Sequence, residues 1–179
     1  MAIEITSELR ARLGRISLFL CDVDGVLTDA TVFVPGGGAE FKAFNIQDGL
    51  GLVNLRRHGV KVGWISSRYS ASTDARAKEL QIDFLEYATS GKVAAVETIR
   101  EKARVTWTEV CYAGDDLVDL APLRRVGAAI AVANAVDEVK AAAHYVTLVR
   151  GGAGAVREIS DLILKSQGKW DQVLAGYSY

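Results

Sequence analysis

Short apolar runs rich in β-branched residues alternate along this chain with stretches whose apolar positions recur every three or four residues. Residues 16–21 (ISLFLC), 61–66 (KVGWIS), 109–114 (EVCYAG) and 128–133 (AAIAVA) carry few polar side chains and read as fully buried strands. Residues 82–86 and 145–148 are weaker strand candidates. Between the strands, residues 48–58, 70–80, 92–104, 117–126 and 153–167 read as helices. Gly59, just past Arg57-His58, fits a helix C-terminal cap. Near-continuous apolar strands alternating with helices predict an α/β fold. The sheet would be doubly wound, Rossmann-like and mostly parallel, with both faces covered.

One segment breaks the alternation. Residues 31–34, the turn Pro35-Gly36-Gly37-Gly38 and residues 39–44 read as an inserted β-hairpin, about 30–44 overall. The glycines serve a tight reversal. A phosphate loop would also need a following helix and Gly-Lys-Ser/Thr, which are absent. Val32, Phe33, Val34, Phe41 and Phe44 are too much apolar surface for so small a hairpin to bury alone, so it must pack on the main domain or on another subunit. The last stretch, about 169–179, has no obvious place in a doubly wound core.

Composition narrows the classes. The 179 residues suit one domain, 1–179. With 50% hydrophobic and 24% charged residues the chain is ordinary globular material rather than a disordered one. A net charge of −1 argues against a nucleic-acid partner. No run approaches the length of a membrane span, and Met1-Ala2-Ile3-Glu4 lacks the character of a signal peptide. Cys21 and Cys111 lie inside apolar runs and read as inert core thiols, which fits a reduced, cytoplasmic setting. His58 and His144 have no ligand partner at zinc-site spacing.

The chemistry gathers at predicted strand ends. Asp22-Val23-Asp24-Gly25 follows the first strand, Ser66 closes the second, and Gly114-Asp115-Asp116 closes another, with Asp119 one turn on. Asp48 opens the helix after the hairpin. Open α/β sheets bind ligands beyond the carboxyl ends of their strands. Several carboxylates brought to one such rim call for a hard divalent cation, and Mg2+ suits carboxylates plus a substrate phosphate. Singly, Asp48, Asp116 or Asp119 could be no more than a helix cap or turn former.

Asp22-Val23-Asp24-Gly25-Val26-Leu27-Thr28-Asp29 resembles the first motif of the haloacid dehalogenase superfamily of phosphatases. Ser66 fits its second motif, Lys92 its third, and Gly114-Asp115-Asp116-Leu117-Val118-Asp119 its fourth. Phe44-Asn45-Ile46-Gln47-Asp48-Gly49 and Gly151-Gly152-Ala153-Gly154-Ala155-Val156-Arg157-Glu158 are similar to signatures of the small capless phosphatases acting on 3-deoxy-D-manno-octulosonate 8-phosphate. The likeness runs from about residue 16 to 169, and relatives acting on nonulosonate 9-phosphates look alike.

The resemblance implies an aspartyl-phosphate mechanism, with Asp22 as nucleophile and Asp24 as general acid and then base. Mg2+ would be held by Asp22, the Asp24 backbone carbonyl and Asp115. Ser66 and Lys92 would hold the transferring phosphoryl group. Asp116 and Asp119 would hold metal waters or orient Lys92, with Asp116 placed first because it adjoins the ligand Asp115. Arg68 would take the sugar carboxylate, or else form a surface salt bridge. Arg157 would reach the substrate, or pair with Glu158 or Asp161. Asp48 would lie beside the substrate pocket, or cap its own helix. Two positions depart from the pattern: Ser67 stands where relatives usually carry Gly, and Ala153 where a basic residue is common.

No cap domain fits between Asp24 and Ser66. Small capless relatives form tetramers through their hairpins, which implies a homotetramer whose C-terminal tail covers a neighbour's site. The leading expectation is thus a phosphatase of lipopolysaccharide precursor synthesis. A nonulosonate phosphatase is the same-class alternative. A phosphoacceptor receiver domain and a non-catalytic sugar-phosphate binder are alternatives of other classes.

Overall fold

A computed structural model describes residues 5–35 and 40–178. Six strands form one sheet: β1 (Leu18–Asp22), β2 (Lys61–Ser66), β3 (Phe84–Tyr87), β4 (Val110–Gly114), β5 (Ala128–Ala131) and β6 (Tyr145–Val146). Their order is β3-β2-β1-β4-β5-β6, and every pairing is parallel. The helices are α1 (Ser7–Leu13), α2 (Ile46–Arg57), α3 (Ala71–Glu79), α4 (Lys92–Ala103), α5 (Leu120–Leu123), α6 (Asp137–Ala142), α7 (Ala155–Ser166) and α8 (Trp170–Ala175).

The chain winds outward from β1 in one direction through β2 and β3, then returns and winds the other way through β4, β5 and β6. Right-handed crossovers therefore place α2 and α3 on one face and α4 to α6 on the other. Helix α7 packs on α2 and against α1, completing the first face. Every residue of β1 and β4 is buried, which explains why both segments read as unbroken apolar runs. Trp64, Phe19 and Tyr112 are the bulkiest fully buried side chains. Cys21 and Cys111 are buried free thiols, as expected of core residues.

Several elements differ from the sequence expectation. The first strand ends on Asp22, which pairs in register with Ile65, so the candidate nucleophile belongs to the sheet itself. The helix expected over 117–126 is instead a 3-10 turn, Leu117–Asp119, running into the four-residue α5. The Asp119 carboxylate folds back onto the Asp115 and Asp116 amides and tightens the turn. Helices α1 and α6 carry too little periodicity to stand out, and the weaker strand candidate at 145–148 forms the two-residue β6.

The hairpin is reduced, among the described residues, to one antiparallel bridge between Phe33 and Phe41, closed by two backbone hydrogen bonds of 3.1 and 3.0 Å. Its expected tip, residues 36–39, lies outside the described residues. Phe33 and Phe41 remain 58% and 60% exposed, so no buried face extends the pairing into a ladder. Phe44, by contrast, is anchored, stacked on Trp64 with ring centroids 6.2 Å apart.

The C-terminal segment does find a place. Helix α8 buries Val173 in the core, Lys169 Nζ donates to the His58 carbonyl, and the Tyr177 hydroxyl donates to Asn54. Residues 169–178 thus fold back on their own chain beside the C-terminal end of α2, which leads into the start of β2.

Candidate active site

The winding reverses between β1 and β4, the place where open α/β sheets bind ligands. Asp22 ends β1 there, and Asp115 follows β4 directly. One carboxylate oxygen from each of Asp22, Asp115 and Asp119 lies within 4.8 Å of the other two. Lys92 is the first residue of α4, and its buried ammonium sits 3.0 Å from Asp22 Oδ2 and 2.6 Å from Asp119 Oδ1. The residue before α4 is Gly91 (φ 95°), which supplies no side-chain cap, so the first amides of the helix are open to an anion.

Asp119 is fully buried and accepts four donors. Oδ1 takes Lys92 Nζ and the Tyr112 hydroxyl, each at 2.6 Å, and Oδ2 takes the amides of Asp115 (3.0 Å) and Asp116 (3.2 Å). A carboxylate offers about four acceptor sites. Asp119 has none left for a metal and serves to position Lys92 and the turn carrying Asp115. The expectation that placed Asp116 ahead of Asp119 is therefore corrected. The Asp116 side chain is exposed and caps the 3-10 turn through Leu117 N–H at 2.7 Å.

Burial raises the Asp22 carboxyl above its ordinary range against the pull of Lys92, with Asp119 adding to the rise. Burial likewise raises Asp115, and the charges of Asp22 and Asp119 push it further. The Lys92 ammonium is held above its ordinary value because Asp22 and Asp119 outweigh its desolvation. Asp115 Oδ1 is buried with no hydrogen-bond partner among the described residues. An under-compensated pair of hard oxygen donors with one orphaned atom is what a divalent cation would satisfy. Asp22 and Asp115 thus fit such an ion.

Tight packing holds this rim in place. A Cβ on Gly25 (φ +103°) would stand 2.0 Å from Asp115 Oδ2, and one on Gly151 would stand 1.8 Å from the Gly25 carbonyl. Asn134 ties the two loops together, its Nδ2 donating to the Gly25 carbonyl (3.1 Å) and its Oδ1 accepting from Gly151 N–H (2.6 Å). A cleft of about 400 Å³ opens beside Lys92 between Ser67, Ser90 and the exposed Leu117 and Val118. That volume lies in the range of small-molecule sites.

The other candidates fall into place unevenly. Ser66 ends β2, but its hydroxyl is engaged in its own turn, donating to the Arg68 carbonyl (2.8 Å) and accepting from Arg68 N–H (3.1 Å). The Arg68 guanidinium pairs with Glu40. Arg157 pairs with Asp161 at 2.7 Å, one of its two expected structural partners. Glu158 instead accepts from the Tyr145 hydroxyl and the Leu148 and Val149 amides. Asn45, not Asp48, caps α2. Asp48 is 1% exposed and accepts the Arg157 amide at 2.7 Å, substituting for a side-chain cap that Gly154 cannot supply to α7. Burial pushes its carboxyl up to about 6 against the amides of Arg157, Gly154 and Val156. Ser67 does not take a positive φ, so serine there carries no left-handed strain, and Ala153 is exposed between Gly152 and Gly154.

Sequence reasoning missed Lys42, Tyr112 and Asn134. Lys42 Nζ lies 2.6 Å from Asp24 Oδ1. Its signal was a lone lysine within the aromatic return arm Phe41-Lys42-Ala43-Phe44. Tyr112 was hidden in an apolar run, and Asn134 had no local pattern.

Asp-x-Asp-Gly at the end of β1, a serine at the end of β2, a lysine heading α4 and Gly-Asp-Asp after β4 are the four parts of a haloacid dehalogenase-like hydrolase. The family model for haloacid dehalogenase-like hydrolases matches residues 67–159. The chain is 37% identical over 168 residues to the 3-deoxy-D-manno-octulosonate 8-phosphate phosphatase of Escherichia coli (strain B / BL21-DE3), covering 94% of this chain and 89% of that protein. It superposes on the Moraxella catarrhalis phosphatase of the same name, solved with a magnesium ion, a phosphate ion and a 3-deoxy-D-manno-octulosonate molecule. That match has a TM-score of 0.94 and 38% identity, and covers 97% of this chain and 100% of that one. The Yersinia pestis enzyme matches with a TM-score of 0.91 and 37% identity, covering 93% and 90%. The chain belongs to the 3-deoxy-D-manno-octulosonate 8-phosphate phosphatase family.

Proposed function

We infer that this protein is a Mg2+-dependent phosphatase that hydrolyses 3-deoxy-D-manno-octulosonate 8-phosphate to the sugar acid and phosphate. The observation that carries the reading is the Asp22–Lys92 pair, 3.0 Å apart at the point where the sheet reverses its winding. The nearly full-length likeness to phosphatases of that name supports the substrate.

Asp22 would attack phosphorus as the leaving P–O bond breaks, forming an aspartyl-phosphate. Asp24 would hand a proton to the departing sugar oxygen. It would then take one from the water that cleaves the acyl-phosphate, returning both carboxyls to their starting state. Lys92 would neutralise phosphoryl charge, and the open amides of α4 would add donors. Asp22, Asp115 and the Asp24 backbone carbonyl would hold Mg2+, which supplies charge neutralisation between nucleophile and phosphate. Ser66 would turn its hydroxyl from Arg68 to a phosphoryl oxygen, and Arg68 would exchange Glu40 for the substrate carboxylate.

The reading extends to a single-domain cytoplasmic enzyme that assembles as a homotetramer and serves lipopolysaccharide precursor synthesis. The exposed Phe33, Val34 and Phe41 support assembly through the hairpin. A monomer in light scattering at micromolar concentration would sink the assembly.

The function is tested by phosphate release with Mg2+ from octulosonate 8-phosphate, nonulosonate 9-phosphates and hexose phosphates, with Asp22→Asn as control. Preference for the eight-carbon acid, lost in Asp22→Asn, supports the reading. Preference for a nine-carbon acid keeps the mechanism and changes the substrate. Absence of turnover with folded, metal-loaded protein overturns both.

A further inference from the structure

Lys42 carries an ammonium where an apolar side chain would serve packing better. It stands on the return arm of the hairpin, directly after Phe41, which is 60% exposed, while its own side chain is 0% exposed. Burying a lysine costs several kcal/mol of desolvation, and fixing its long stem costs rotamer entropy as well. The ammonium lies 2.6 Å from Asp24 Oδ1 and 3.8 Å from Glu40 Oε1. Glu40 Oε2 pairs with Arg68, and the Glu40 carbonyl accepts from the Ser72 hydroxyl at 2.9 Å. The result is a row of alternating charges, Asp24–Lys42–Glu40–Arg68, reaching from the β1 end to the loop after β2. Among the described residues Lys42 is the cation paired with Asp24; the contact is an ion pair to Oδ1, without the alignment of a hydrogen bond.

We propose that Lys42 is a positioning residue for Asp24, holding Oδ1 so that Oδ2 faces the bridging oxygen of the substrate. The proposal rests on the phosphatase reading. As the P–O bond breaks and the Asp22–phosphorus bond forms, the proton leaves Asp24 Oδ2 for the sugar oxygen. A carboxylate free to rotate presents the proton in the wrong place for most encounters. The penalty depends on the leaving group. A sugar alkoxide needs the proton, whereas p-nitrophenolate departs without it. A lysine that only secured the hairpin would not tell these apart.

The test compares the Mg2+-loaded wild type with Lys42→Met, Lys42→Arg, Asp24→Asn and Asp24→Asn/Lys42→Met on octulosonate 8-phosphate and p-nitrophenyl phosphate. Lys42→Met is expected to lower kcat on the sugar phosphate about 100-fold, with KM within about three-fold, and to lower kcat on p-nitrophenyl phosphate only about three-fold. Lys42→Arg is expected to recover most of the sugar-phosphate rate. The double variant should be no slower than Asp24→Asn, because the lysine acts through that carboxyl. Equal loss on both substrates, or additive losses in the double variant, would overturn the proposal, as would full activity in Lys42→Met. Wild-type turnover of octulosonate 8-phosphate reports separately on the substrate reading. If another alkyl phosphate is preferred, the same ratio is read on that one. If the wild type cleaves neither substrate, the phosphatase reading and the proposal fall together.

Discussion

Asp48 offers a stability measurement whose sign is unusual for a carboxylate. It is almost wholly buried, and desolvation moves its carboxyl from an ordinary 3.8 to about 6. Well below pH 4 the group is protonated in the folded and the unfolded chain alike. Between about 4 and 6 the unfolded chain releases its proton and the folded one keeps it, so stability falls as pH rises. Above 6 both are ionised and the loss is complete. At about 1.4 kcal/mol per pH unit, the loss is worth about 3 kcal/mol. Asp48→Asn keeps an acceptor for the Arg157 amide and cannot ionise, so any fixed cost of the new amide is independent of pH. Urea unfolding of both proteins in EDTA, from pH 4 to 7, isolates the effect. The wild type should lose about 2.5 kcal/mol of this relative to the variant across that range and then run parallel to it. A constant difference, or one that moves the other way, would show that the α7 amides compensate the buried charge and would refute the reasoning.

Three further outcomes follow from the same geometry. Gly25→Ala should cut activity by about 100-fold or more while the protein stays folded, because the new Cβ would displace the Asp115 carboxylate and occupy a positive φ; kinetics beside circular dichroism checks it. Tyr112→Phe removes one of four donors to a buried carboxylate and should destabilise by about 1.5–3 kcal/mol, read as a lower urea midpoint. Unchanged stability would mean that Asp119 is held without the tyrosine. Calorimetry should find Mg2+ binding weaker at pH 6 than at pH 8, with protons released on binding, because the raised Asp115 carboxyl must ionise to ligate. Equal affinity at both pH values would remove Asp115 from the ligand set.

Buried parallel strands were legible because both of their faces lie in the core, so almost every position is apolar and the first polar residue marks the strand end. Asp22, Ser66 and Asp115 therefore stood out at rims without any knowledge of the neighbours. The 3-10 turn at Leu117–Asp119 was not legible, since its cause is a side chain folding back to two amides. Nor could local sequence rank Asp119 over Asp116. Both are acidic residues near a strand end, and only the tertiary fold, which brings Tyr112 of β4 and Lys92 at the head of α4 to one carboxylate, buries Asp119 between them and leaves Asp116 in water. Asp48 read as a cap for its own helix, but it caps α7, more than a hundred residues away in the chain. Lys42 met Asp24 through the return of a hairpin arm, a pairing that no spacing encodes. Periodicity and strand-end chemistry are local properties, carried by neighbours in the chain. The partner of a buried charge is chosen by which elements the fold presses together, because in a low-dielectric interior each charge must find its counterpart in space rather than in sequence.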